Sequence, residues 1–434
     1  MVADVAAPRR DAQPDSGEVD AAVGAWDWLP GEWELPAGVP SFCELRSAKN
    51  PARDIPPLQW KACASGRSGC RTLVVDWHAG PGPRQRESSI TEPVQRLRSG
   101  EVIVSYTRWY PDPKAPGVFD RTMDIVYSLD GAARVGYAGD YRRGADTDAG
   151  GQRCLGLLSG GDDGYVEMHS LSRERLNLAT YGSWANPGNP AVSRTFTDAE
   201  LNQGAGVQRN DGTTVYVTTQ ITGGLALLDL PSNTVTIPRD GAQIAAIEAA
   251  RPVKDGAVVF RLGATQIMLD YLRRDGTTTR LVTPPGTRQV SGFAIDRSQN
   301  ESLVWVEADE VQPATNAVLF TSPAATSAAA VVRRRVTAFD AAGGDGGGRM
   351  IANAGFALVL TGKTTALLVR LADGAGWTIH AEPDTVFVKA MWVDEQDVWI
   401  ATGIRPYFPS EITYEDGTIR LARTSLGAPD VAPK

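Results

Sequence analysis

Apolar and polar residues alternate along most of this chain, in short runs whose members are β-branched or aromatic. Examples are Thr214-Val215-Tyr216-Val217-Thr218, Val258-Val259-Phe260-Arg261, Leu303-Val304-Trp305-Val306 and Asp397-Val398-Trp399-Ile400. A period of two, bordered by Gly, Asp or Asn, predicts strands, because successive side chains leave opposite faces of an extended backbone. Helical spacing is confined to short pieces around Asp198 to Leu201 and Ala242 to Ala250.

The strands recur at a regular distance. Tyr216, Phe260, Trp305 and Trp399 are separated by 44, 45 and 94 residues, the last being about two periods, with Ala357-Leu358-Val359 in the skipped slot. A second marker is a turn dipeptide between two later strands: Asp130-Gly131, Asp275-Gly276, Asp373-Gly374 and Asp416-Gly417, with Ser232-Asn233 in an equivalent place. Asp-Gly suits a two-residue hairpin turn, since glycine accepts a positive φ there. A repeat of 40 to 50 residues containing four short strands is the pattern of a β-propeller blade, one that cannot bury its own apolar faces and stacks on its neighbours. Counting with one template gives blades near 71–139, 152–198, 204–238, 244–284, 290–340, 350–382 and 385–424. The expected fold is therefore all-β, a seven-bladed propeller, with six or eight blades as alternatives because the first two fit poorly. In the last blade the template places strands at 386–393, 397–402, 411–414 and 418–424.

The run Gly292-Phe293-Ala294-Ile295-Asp296 followed by Leu303-Val304-Trp305-Val306 resembles the repeats of exported bacterial propellers of the TolB-like and YWTD-like superfamily, over about residues 200–424. The segment holding Trp60, Cys63, Gly69 and Cys70 is similar to uncharacterised secreted bacterial propeller proteins. These resemblances imply fold and export, not a chemistry.

Residues 1–25 are rich in Ala, Asp, Pro and Gly without apolar period, which predicts a flexible tail. The tail resembles the spacers that follow the lipidated cysteine of exported lipoproteins, so the expected location is extracytoplasmic, in the periplasm or at the cell surface; a frayed cytosolic terminus is the alternative. Residues 26–70 read as a strap, with Trp26, Trp28 and Trp33 available to pack on the propeller, and 71–427 as the propeller itself. Cys63 and Cys70 enclose two glycines that permit a tight reversal, which predicts a disulfide; Cys43 with Cys154 is the pairing that remains, and four reduced thiols are the other reading.

Composition narrows the function classes. The chain has 434 residues, a formal net charge of −8, 42 % hydrophobic and 22 % charged residues. Its densest basic run is Arg333-Arg334-Arg335, which gives no electrostatic case for nucleic acid. No run approaches the roughly 18 apolar residues of a spanning helix, so no transmembrane segment is expected. The expected assembly is a monomer.

Loop length selects a working face. In a four-stranded meander, with strands a to d, the a–b and c–d turns lie at one end and the b–c loops and d–a links at the other. The c–d turns are short, whereas Trp109 to Asp120 in the first blade and Gly403 to Pro409 in the last are long and aromatic. With the link after the first blade they nominate Trp109, Tyr110, Asp112, Tyr141, Arg142, Arg405 and Tyr407 as a ligand-binding set. Aromatic planes interleaved with Arg and Asp suit a glycan or a protein segment; proline-stiffened loops packing on themselves are the bland reading.

Catalytic motifs are missing. The three histidines, His78, His169 and His380, fall in separate blades, and neither His-Glu-x-x-His nor Gly-x-Ser-x-Gly occurs. Gly362-Lys363-Thr364 ends like a phosphate loop but has Ala357 where glycine is required. Asp146 and Asp148 alternate as in a calcium loop, yet the position eleven beyond Asp146 is Leu157, so a solvated acidic turn is the first reading and calcium the alternative. No other cofactor is expected. The function expected is thus non-catalytic binding of a protein or glycan through the b–c face; a hydrolase, lyase or lactonase using carboxylates such as Asp112 with Asp120 or Asp124, or others near the central channel, is the alternative.

Overall fold

The computed structural model describes residues 45–47, 59–62, 71–74, 94–96, 102–112, 115–128, 133–140, 154–160, 164–171, 176–183, 190–197, 205–219, 225–239, 250–309, 316–323, 331–340, 350–362, 364–381, 386–394, 397–403 and 419–432, with side chains chiefly between 211 and 381. Three short strands come first: β1 (Leu45–Ser47), β2 (Gln59–Ala62) and β3 (Arg71–Val74). Two groups of four follow, β4 (Val94–Arg96), β5 (Val102–Asp112), β6 (Ala115–Ser128) and β7 (Ala133–Asp140), then β8 (Cys154–Gly160), β9 (Gly164–Leu171), β10 (Leu176–Ser183) and β11 (Pro190–Thr197). The next are β12 (Ala205–Asp211), β13 (Thr214–Thr219), β14 (Leu225–Asp229) and β15 (Thr234–Thr236), and β16 (Ala250–Val253), β17 (Gly256–Leu262), β18 (Ile267–Arg273) and β19 (Thr278–Val282). After these stand β20 (Arg288–Asp296), β21 (Ser302–Asp309), β22 (Ala317–Ser322) and β23 (Arg334–Phe339), and β24 (Met350–Asn353), β25 (Phe356–Leu360), β26 (Thr365–Arg370) and β27 (Gly376–His380). The last three are β28 (Val386–Asp394), β29 (Asp397–Gly403) and β30 (Ile419–Ser425).

Each group pairs antiparallel in chain order, giving seven sheets among the described residues. The first strands of successive sheets touch: β8 packs on β12, β12 on β16, β16 on β20, β20 on β24, β24 on β28 and β28 on β4, while β7 meets β8. The succession returns to its start. Sheets that radiate from a ring of first strands are the blades of a β-propeller.

Both ends of the chain build the closing sheet. Its order is β2-β3-β30-β29-β28, so β3, from the N-terminal side, fills the d position beside β30 with Leu73 opposite Leu421. This corrects two expectations. Residues 71–74 belong to the last sheet and not to the first, which starts at β4; and 419–425 form the third strand of the last sheet, not the fourth. Strand β1 meanwhile adds a fifth member to the first sheet, outside β7. The expected strand at 411–414 and the expected tail lie outside the described residues, as does the helical piece at 198–201; of the other, Ala250 starts β16. Among the described residues, no helix is long and apolar enough to cross a membrane.

The core lies between sheets, because strands with apolar residues on both faces need cover on both. Val258, Phe260, Leu269 and Tyr271 of the fourth sheet meet Phe293, Leu303 and Trp305 of the fifth. Ala257, Val259 and Leu272, on the opposite face, meet Tyr216, Leu225 and Leu227 of the third. Phe260 and Phe293 pack edge to face at 4.7 Å, and Trp305 stacks on Phe320 at 5.5 Å. Tyr216, Phe260, Trp305 and Trp399 all fall on b strands, as the period requires. They do not share a face: Tyr216 and Phe260 look toward the following sheet, Trp305 toward the preceding one. A shift of one residue in register is enough to exchange the faces.

Two of the turn dipeptides sit at c–d corners and do the same job. Gly276 and Gly374 have φ of 82° and 78°, and a Cβ at either would lie 2.8 Å from a carbonyl oxygen of the preceding sheet, that of Ile237 or Val336. Asn233 takes φ 54° at the third such corner. Asp416-Gly417, by contrast, precedes β30 and so falls in the b–c connection of the last sheet rather than between c and d.

Candidate binding face

The a–b end is joined from sheet to sheet. The Tyr216 hydroxyl donates to the Gly256 carbonyl in the next sheet at 2.9 Å. Burial first, and then the Asp211 carboxylate, raise this phenol well above the ordinary tyrosine range, which keeps it a donor. Asp296, fully buried, accepts from Ser298 N with one oxygen and, at 2.7 Å, from Gly355 N of the following sheet with the other. Glu301 accepts from Lys254 N at 2.8 Å, Arg297 donates to the Pro252 carbonyl, and Arg274 reaches Asp211 at 2.8 Å and Thr214 at 3.0 Å. Apart from the local Ser298–Asp296 bond, each of these spans two sheets.

Toward the b–c end, buried carboxylates are held within one sheet. Asp270 on β18 takes Arg261 of β17 at 2.8 Å and Arg280 of β19. Glu307, near the outer end of β21, accepts from Trp305 Nε1 at 2.8 Å and from Arg333. Arg333 lies 4.6 Å over the Phe320 ring, and Phe320 stacks on Trp305, so a guanidinium and two aromatic planes form a column beside the acid. Arg288 donates to the Glu307 and Asn316 carbonyls, and Thr287 to Asp309 at 3.1 Å. An acid in a buried strand position survives because two cations and hydrogen bonds replace its lost hydration. Both carboxylates have two arginines within 4.0 Å, so each cluster is locally cationic.

The sequence carries a signal for them that belongs to no catalytic motif. Each is an acid following an apolar run inside its strand, Met268-Leu269-Asp270-Tyr271 or Val304-Trp305-Val306-Glu307, with arginines on the strands beside it or just before them.

Trp109, Tyr110 and Asp112 lie in β5, opposite Thr122, Arg121 and Ala115 of β6. The expected irregular loop over Trp109 to Asp120 is thus a continued hairpin, with register breaks around Pro111. It outruns its sheet. Pairing with β4 ends at Val94–Val104, and pairing with β7 ends at Arg121–Asp140, so Pro111, Asp112 and their partners Phe119 and Ala115 are paired only with each other. Prolines fit such a ribbon because its outer edges need no donor.

Tyr141, Arg142, Arg405, Tyr407, Asp146, Asp148, Cys63 and Cys70 lie outside the described residues. What frames them is described. Strand β7 ends at Asp140 opposite Arg121, and β29 ends at Gly403, each at the b–c end of its sheet, and the first and last sheets adjoin through β4 and β28.

No family model and no curated relative matches the chain. Among solved structures it is similar to an oligogalacturonate lyase in complex with manganese, at 11 % identity and TM-score 0.44 over 86 % of this chain and 97 % of that one. It is also similar to the β-propeller domain of Cps50 (Swd1) from Myceliophteria thermophila, at 10 % identity and TM-score 0.45 over 79 % and 98 %. A third is a puromycin hydrolase, at 13 % identity and TM-score 0.42 over 82 % and 55 %. The propeller assignment rests on the strand pairing and ring contacts of this chain.

Proposed function

We propose that this chain is a seven-bladed β-propeller, exported and monomeric, that binds a protein or glycan partner through its b–c face without catalysis. The observation that supports this reading is the β5–β6 hairpin, which extends past both flanking strands and carries Trp109, Tyr110 and Asp112 at the b–c end. Pro111, Asp112, Ala115 and Phe119 lie beyond both flanking strands, and Trp109 and Tyr110 stand at the last rows before that overhang, opposite Thr122 and Arg121. Tyr141 and Arg142 directly follow β7, and Arg405 and Tyr407 directly follow β29, in the adjoining sheet. In this reading residues 1–25 are a tether, 26–70 a strap stabilised by a Cys63–Cys70 disulfide, and 71–427 the propeller.

The test is binding of the immobilised full chain to a glycan array and to a cell-surface protein extract, comparing wild type with Trp109→Ala and Tyr407→Ala. Loss of a specific signal in both variants with unchanged melting temperature supports the proposal. A signal that survives in both contradicts it, and turnover in a hydrolase and lyase screen would favour an enzyme instead.

A further inference from the structure

Each sheet ends outward in one edge strand. Such a strand offers backbone N–H and C=O groups to any other strand, and charge or shortness is what commonly blunts it. Among the described residues, six of the seven outermost strands have one of these devices: β2 holds Lys61, β11 Arg194, β19 Arg280 and β23 Arg334 and Arg335, while β1 and β15 are three residues long. β27 has neither. Its sequence, Gly376-Trp377-Thr378-Ile379-His380, holds no lysine, arginine or acid and is rich in residues that favour strands.

Among the described residues, that outermost strand is the one over which a further segment of the chain is laid. After β30 the backbone crosses from the closing sheet to the rim of the sixth, where Val431 forms an antiparallel bridge with Gly376. Gly376 N donates to the Val431 carbonyl at 3.1 Å, and Val431 N to the Gly376 carbonyl at 3.0 Å. The Asp430 carboxylate accepts from Thr378 N at 2.7 Å, the Gly427 carbonyl accepts from Trp377 Nε1 at 2.9 Å, and Leu426 packs against the cluster of Leu358, Trp377 and Ile379. These bonds fix which groups of β27 face outward. The Ala375 carbonyl accepts from Arg370 N and Ala381 N donates to the Thr364 carbonyl, both on the β26 side, so the alternate residues Gly376, Thr378 and His380 turn their groups to the rim.

We infer that residues 426–432 are an edge guard, which keeps β27 from pairing with β27 of a second copy of this chain. An antiparallel pair of identical edges is self-complementary and closes as a two-fold dimer. Centred on Thr378, it sets each Gly376 opposite His380 of the other copy, so the outward groups of all three residues meet in register and no lysine, arginine or acid opposes another. The guard does not become a template in its turn, because Pro429 and Pro433 interrupt it and Asp430 adds a charge. The inference concerns the rim and is independent of protein or glycan recognition by the hairpin.

Mass in solution, by size exclusion with light scattering over a range of concentrations, tests it on the full chain and on a variant ending at Ser425, a residue that pairs with Asp397. Every mass is read against wild type, so the result holds whatever state wild type adopts. The shortened chain is expected to reach about twice the wild-type mass. Thr378→Pro in that background returns it to the wild-type value, because proline removes an outward donor and leaves the ladder with β26 intact. Melting temperatures check that each variant folds. If the shortened chain does not, Asp430→Ala with Val431→Pro in the full chain carries the test, with a concentration-dependent rise in mass that Thr378→Pro again reverses. A folded test variant of wild-type mass overturns the inference, and so does a rise that Thr378→Pro leaves in place.

Discussion

At the a–b end of the ring the described polar contacts run between sheets, from Tyr216 to Gly256, Asp296 to Gly355, Glu301 to Lys254 and Arg274 to Asp211. Toward the b–c end, the charges of Asp270 and Glu307 are met by arginines of their own sheet or of the link leading into it. The difference divides the work. Cohesion between blades is concentrated where the turns are short, and the opposite end is free to lengthen its connections, because each sheet there has already satisfied its own buried acid. A surface that owes nothing to its neighbour can carry a protruding hairpin without weakening the ring.

Substitutions at the two ends sharpen this contrast. The largest effect is expected from Glu307→Ala, which leaves Trp305 Nε1 and Arg333 without their acceptor and Arg288 without its counter-charge. Breaking a buried ion pair on one side costs about 3–5 kcal/mol, read as a lower urea midpoint, while hydrogen exchange in β24 and β25 of the next sheet keeps its protection until global unfolding. Next is Asp296→Ala, which removes the bond to Gly355 N and the cap on the 3-10 turn at Arg297–Gln299. A cost of about 2 kcal/mol is expected; here the amide of Gly355, one sheet away, should exchange faster. If both variants disturb only their own sheet, the division of labour between the ends fails.

The smallest effect concerns Asp275 at a c–d corner. Hydrogen bonds from the Thr277 side chain and backbone, at 2.6 and 2.8 Å, hold its carboxyl below the usual aspartate range. A folded value below the unfolded one adds stability above the unfolded pKa, which is lost as pH falls through the folded value. Wild type should therefore melt slightly above Asp275→Asn at pH 6, and the gap should close as pH drops below about 4. A gap that widens on acidification would contradict the assignment.

How far the sequence disclosed this follows from the range of each interaction. Alternation and turn chemistry are local, so the b strands around Tyr216, Phe260, Trp305 and Trp399 and the corners at Gly276 and Gly374 could be read directly. The membership of β3 could not. Arg71-Thr72-Leu73-Val74 has the composition of any strand, and its partner β30 is some 350 residues away. The face chosen by Trp305 was equally hidden, because it depends on where register begins. Pro111, Pro113 and Pro116 argued for a loop, but β5 and β6 run beyond their neighbours there, and an edge without partners tolerates proline. Of the nominated binding residues, the local pattern identified a connection that is long and aromatic; that its first half is a paired ribbon emerges only from the register of β5 on β6.

The central claim is that the ring closes by joining the two termini in one sheet. Cysteines placed at Leu73 and Leu421, which face each other across β3 and β30, test it under mild oxidation with peptide mapping by mass spectrometry. A cross-linked peptide joining 71–74 to 419–425 is expected, as is one from the control pair Val258→Cys with Tyr271→Cys, opposite each other on β17 and β18. A cross-link in the control and none between the termini would contradict the closure.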